Sequence, residues 1–191
     1  MDNQPPSNAG FFGGLSDLIT SMKNLVISAN TINQTLAKVF PSWTAGQIPG
    51  TTTNGNATAG NVGEYISSQI LSGSAVSLTT ATPANVTSIS LTGGDWDVWG
   101  TVAFVANVLT TATIFEGGIN TTSATLPTPP GSGAYFQEAL SVAAGAIEPC
   151  TPIGMTRISI ASTTTVYLVA QSTFATNTMS VYGFLGARRR R

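Results

Sequence analysis

The chain has 191 residues, a net charge of −1, 42% hydrophobic and only 8% charged residues, no histidine and a single cysteine, Cys150. These numbers exclude zinc sites of the Cys/His type, nucleophilic catalysis by serine or cysteine with an imidazole base, and an intrachain disulfide. Ser and Thr supply roughly a quarter of the residues, and with 20 Gly and 10 Pro this is the composition of an all-β chain.

Residues 1–10 (MDNQPPSNAG) are polar and hold two prolines, which predicts a flexible or docking tail. The start MDNQPP lacks the basic residues of a signal peptide, and no apolar run reaches the ~20 residues of a bilayer span. Residues 11–40 read as an amphipathic helix. Leu15, Leu18, Met22, Leu25, Ala29, Ile32, Leu36 and Val39 are spaced alternately by three and four, an a/d seam of about four heptads. Asp17 is expected in the first turn and Lys38 in the last, with Pro41 as the stop. The e positions add Ile19, Val26 and Phe40, and the g positions hold Ser21, Ser28 and Thr35 with no charge. A stripe widened to a, d and e needs more than one neighbour. It suits a trimer or higher bundle, a groove in a larger partner, or the helix's own domain. The near absence of Lys and Arg on the polar face argues against a membrane-surface helix.

Residues 41–61 (PSWTAGQIPGTTTNGNATAGN) lose all periodicity and read as a linker, with Trp43 as a candidate plug at the helix end. From 62 to 191 short β runs alternate with turn residues: 62–71, 75–79, 86–91, 96–107, 111–120, 134–143, 157–161, 165–174 and 179–186. Eight or nine strands without intervening helices predict an antiparallel sandwich or barrel. Trp96, Val98, Val102 and Phe104 share one face of their strand, and Asp95, Asp97, Trp99 and Thr101 the other. Val166, Leu168, Ala170 and Ser172 similarly oppose Tyr167, Val169 and Gln171. The outward faces carry Thr, Ser, Ala and aromatics where a monomer usually carries charge, so part of the surface is expected to be covered by copies of the chain. The pairs Gly93-Gly94 and Gly117-Gly118 read as hairpin turns.

The string ISLTGGDWDVWGTVAFV and the later RISIASTTTVYLVAQSTFATNTMSVYGFLGARRRR resemble the opening and closing strands of a trimeric jelly roll. The outline is that of tumour-necrosis-factor-like and complement-globular-head folds. From about Asn56 onward the chain looks most like a module of tailed-bacteriophage virion proteins that follows a short helical stalk. The resemblance implies a mainly β protein: a C-terminal antiparallel jelly-roll sandwich preceded by one N-terminal, coiled-coil-like α-helix. It further implies a homotrimeric short fibre or spike, assembled in the host cytoplasm and attached to head, collar or tail ring proteins of the virion. The alternative is a receptor-binding tip that recognises a host surface glycan.

Candidate chemistry is sparse. Asp95 and Asp97, joined by Glu116 and Glu138 if the fold brings them close, are the carboxylates available for glycosidic acid–base work. Asp95 follows two glycines, and a turn aspartate usually caps its own backbone. Asp95, Asp97 and Glu64 are the candidate Ca²⁺ ligands, without any EF-hand loop. Among the aromatics that could stack on sugars (Trp43, Trp96, Trp99, Tyr135 and Tyr182), Trp96 belongs on the core face and Trp99 is the candidate interface residue. Arg188, Arg189, Arg190 and Arg191 supply four of the seven positive charges and read either as a solvated tail or as a contact to acidic partner groups. With only Lys23, Lys38 and Arg157 elsewhere, no basic face is expected on the β body, and so no specific nucleic-acid partner. The sequons at Asn33, Asn56, Asn85 and Asn120 occur at about the chance frequency. No phosphate-binding glycine motif is present. The expectation is a protein without enzymatic activity, cofactor or metal.

Overall fold

The computed structural model describes residues 9–39, 53–129, 133–141 and 149–191. The chain divides into two units, Met1–Asn54 and Gly55–Arg191. The first contains α1 (Ala9–Val39). The helix begins in the segment read as tail, because Gly10, Gly13 and Gly14 hide its first turns from propensity. Asp17 therefore lies well past the first turn, which has no acidic residue. Every described side chain of α1, residues 14–35, is exposed, and Leu25 reaches 71%. Thr20, Thr31 and Thr35 turn their hydroxyls back onto the carbonyls of Ser16, Ile27 and Thr31, which accommodates these residues inside a helix. Leu36 and Val39 fall within α1, but their side chains lie outside the described residues, as do Trp43 and linker residues 41–52.

The second unit contains β1 (Tyr65–Ile70), β2 (Val76–Ser77), β3 (Ala84–Leu91), β4 (Gly94–Ala106), β5 (Thr111–Asn120), β6 (Tyr135–Glu138), β7 (Cys150–Ile160), β8 (Thr164–Ala175) and β9 (Met179–Arg189). One sheet runs β1-β9-β4-β7, with β2 also on β9, and the other β3-β8-β5-β6; all pairings are antiparallel. β1 and β2 flank a 3-10 turn at Ser72–Ser74 and edge the same strand, so they act as one interrupted strand. The resulting order is that of an eight-stranded jelly roll.

The period-2 pattern explains the core. Trp96, Val98, Val102 and Phe104 of β4 are fully buried, as are Val166, Leu168 and Ala170 of β8. Phe104 meets Phe115 of the opposite sheet edge-on, with ring centroids 5.1 Å apart. Neither glycine pair makes a hairpin. Gly93-Gly94 carries the chain from β3 in one sheet to β4 in the other. Gly117 and Gly118 lie inside β5, where side chains would collide with Phe136 and Pro127. The structured body also starts earlier than residue 62: Asn56 brackets Tyr65 with two hydrogen bonds, and Gly60 N donates to the Glu64 carboxylate at 2.8 Å.

Candidate interface on the outer face of the first sheet

Two features mark the β1-β9-β4-β7 sheet: a cluster of ion pairs at one end and, on its outer face, a group of aromatic rings. The antiparallel register puts the start of β1 beside the end of β9, with Tyr65 opposite Arg188. Gly63 N donates to Arg189 O at 3.0 Å, and Arg189 N donates to Glu64 O at 2.8 Å. The chain thus enters and leaves the body at one pole.

Arg189 faces inward and is 4% exposed. Its Nε donates to Glu64 Oε2 at 2.8 Å, Nη1 to Gly93 O at 2.9 Å, and Nη2 to Thr92 Oγ1. The guanidinium lies 4.3 Å from the centroid of the Trp96 ring. The Glu64 carboxyl is held below the usual range, first by the Gly60 N–H and then by Arg189.

Asp95 is buried at the strand start rather than capping a turn. Its Oδ1 accepts from Arg157 Nε at 2.6 Å, and its Oδ2 is paired with Arg191 Nε at 2.9 Å. Those contacts, the Arg157 hydrogen bond foremost, lower its pKa and raise that of Arg157. Arg190 Nη1 lies 3.6 Å from Asp97 Oδ1. Asp95, Arg157, Arg190 and Arg191 line a polar cleft of about 210 Å³.

This arrangement corrects several expectations. Arg189 is not part of a solvated tail but is buried against Glu64, whereas Arg190 and Arg191 remain largely exposed while pairing with Asp97 and Asp95 of their own chain. Arg188 is exposed and makes no ion pair among the described residues. Arg157 joins the terminal arginines at this pole, where Glu64, Asp95 and Asp97 pair with four of the five guanidinium groups. Asp95, Asp97 and Glu64 are committed to guanidinium groups, and no acidic or Cys/His metal cluster exists among the described residues. Glu116 and Glu138 do not join Asp95 and Asp97. Glu116 lies on β5, accepting from Tyr135 Oη and Gln171 Nε2 at 2.6 Å each, and Glu138 accepts from Thr151 Oγ1 at 3.2 Å. Burial and the Glu116 carboxylate push the Tyr135 hydroxyl up to about 12, so Tyr135 stays a donor.

The aromatic group follows from register. Trp99 is opposite Gly186, Thr101 opposite Phe184, and Ala103 opposite Tyr182, all on the face away from Trp96. β1 adds Tyr65, Ser67 and Gln69 on the same face. Tyr65 and Trp99 are 6.0 Å apart with their planes tilted by 32°. A Cβ on Gly186 would lie 3.0 Å from Phe184 and 3.1 Å from Trp99, so both rings bend down over the glycine. Trp99, the expected interface residue, is therefore the centre of a half-exposed apolar patch. Tyr65 and Phe184 are not among the sequence candidates. The alternation Tyr182, Phe184, Gly186 along β9 places Phe184 beside Tyr182 on one face, and that is the signal that could have found it. Tyr65 carries no such signal, because only the β1-β9 register brings it to Trp99.

Three sequon asparagines are already in use. Besides Asn56, Asn85 holds Ser123 and Ala124 at 2.7 Å each, and Asn120 binds Thr122 N and Thr125 O, fastening the segment after β5.

No protein-family model matches the chain, and no curated protein matches it. Among solved structures, a chain of the infectious bursal disease virus Gx strain is 11% identical, with a TM-score of 0.40, covering 75% of this chain and 36% of that one. The VP2 subviral particle of infectious bursal disease virus is 18% identical, with a TM-score of 0.29, covering 69% of this chain and 31% of that one. The chain spans about a third of the length of these chains.

Proposed function

We infer that the protein is a non-enzymatic structural component of a virion, a short trimeric appendage whose helix seam self-associates and whose jelly roll forms the knob. The observation that carries this reading is the seam itself. Leu15, Leu18, Met22, Leu25 and Ile32 are all exposed on α1, with Ile19 and Val26 widening the stripe. Burying one such side chain contributes about 1.5–3 kcal/mol, so a seam of this length strongly favours association. Three parallel helices close their seam around one axis and leave no apolar edge open. The resemblance of the β strings to phage appendage modules points the same way, with other virion proteins as the partners of the assembly.

Light scattering on the full chain tests the reading. The expected mass is about 59 kDa, three times 19.6 kDa. A 19.6 kDa monomer at all concentrations overturns self-association.

A further inference from the structure

We propose that the aromatic patch of the β1-β9-β4-β7 sheet is a binding site for a sugar residue carrying a carboxylate, such as a hexuronic acid unit of a glycan. The proposal stands on the jelly-roll unit alone and does not depend on the oligomeric state inferred above.

The floor of the site is apolar. Ring atoms of Trp99 and Phe184 close over Gly186, which is buried although it belongs to the outer face, and both residues stay partly exposed. Tyr65 extends that floor with a ring tilted only 32° from Trp99. The C–H face of a pyranose fits such a floor, and its equatorial hydroxyls then point outward along the sheet. Polar groups wait there in register: Ser67 and Gln69 of β1, both exposed, and Thr101 of β4. An apolar surface with a few placed polar groups is the general form of a small-ligand site.

Charge selects the acidic sugar. Arg188 lies opposite Tyr65 on one side and Asp97 on the other, so it stands at the rim of the floor. It is exposed and unpaired among the described residues, and a free guanidinium presents a fork that matches a carboxylate. Arg157, across Asp97, spends only Nε on Asp95. The pole holds Arg157 and Arg188 to Arg191 against Glu64, Asp95 and Asp97, an excess of positive charge. A neutral sugar would leave that excess unanswered.

Saturation-transfer NMR and titration with methyl β-D-glucuronide and methyl β-D-glucoside test the assignment on the full chain. The expected result is saturation of the glucuronide ring protons and affinity at least about tenfold above that of the glucoside. Arg188→Gln, an exposed position that leaves the fold intact, is expected to abolish that preference. Trp99→Ala is expected to abolish binding of both sugars, with the circular dichroism and the mass unchanged. Equal binding of the two sugars by the wild type, or no binding of either, overturns the proposal. A fall in oligomer mass with Trp99→Ala overturns it as well, because the patch is then a subunit interface.

Discussion

At the residue scale, the β body gathers most of its few charges into pairs, with Arg188 left out. Arg189 and Glu64 are both buried and bonded to each other, so removing one leaves the charge of the other uncompensated in the interior. Arg189→Ala is expected to cost about 3–5 kcal/mol, read as a fall in the urea midpoint. The pH dependence follows from the two lowered carboxyls, Glu64 and Asp95. Because the folded state holds them ionised more strongly than the unfolded state does, the unfolded chain takes up protons first as pH falls. Their stabilisation is complete above the ordinary carboxyl values of 4.5 and 3.8 and is lost as pH drops through the lowered folded values. The urea midpoint should therefore stay level between neutral pH and the mid-carboxylate range and decline only in acid. In Glu64→Gln that acid decline should be shallower. None of these pairings is legible in the sequence. They join residues near 64, 95, 157 and 190, and only a register decides which carboxylate meets which arginine.

At the element scale, the strands are the most legible feature. Alternation alone places Trp96, Val98, Val102 and Phe104 in the core, and all four are fully buried. β7 is the least legible strand, because Pro152 and Gly154 near its start look like turn residues, yet the strand runs from Cys150. As an edge strand β7 tolerates that proline, and the register shift between Val98 and Gly100 absorbs the irregularity. Glycine misleads for a related reason. In this fold it marks close approach between layers as often as a turn. Gly183 sits against the backbone carbonyl of Thr101 and the Leu168 side chain, so Gly183→Ala is expected to destabilise the body by about 1–3 kcal/mol in urea unfolding. For α1, Leu25→Asp is expected to reduce the light-scattering mass to that of a monomer while the β spectrum in circular dichroism persists. A trimer unchanged in that variant would make the seam a docking surface for another protein.

At the scale of the whole molecule, the jelly-roll body is polar in its charge. The arginines and three of its carboxylates gather where β1 starts and β9 ends, whereas the opposite end is built from the turn Asn107–Thr110 and the residues before β9, with Val108 and Leu109 exposed. The closing residues are thus part of the fold rather than an appendage to it. Removal of residues 189–191 takes away the partner of buried Glu64, the ring contact to Trp96 and the backbone bonds to Gly63 and Asp95. The shortened chain is expected to unfold at lower urea than any single charge variant, measured by tryptophan fluorescence.

The shared pole for entering and leaving also decides how the body carries a mechanical load. A pull between the Asn107–Thr110 turn and residue 64 runs along β4, β9 and β1, parallel to the strands. The ladder bonds between these neighbours then bear the tension in shear, many at once, and must fail together. A pull that separates residue 64 from residue 189 acts across the same ladder and peels it one bond at a time. The jelly-roll body is therefore stiff against a tug on its far end and weak against a tug on its own C-terminal strand, a directional strength that force spectroscopy with two attachment geometries would read directly.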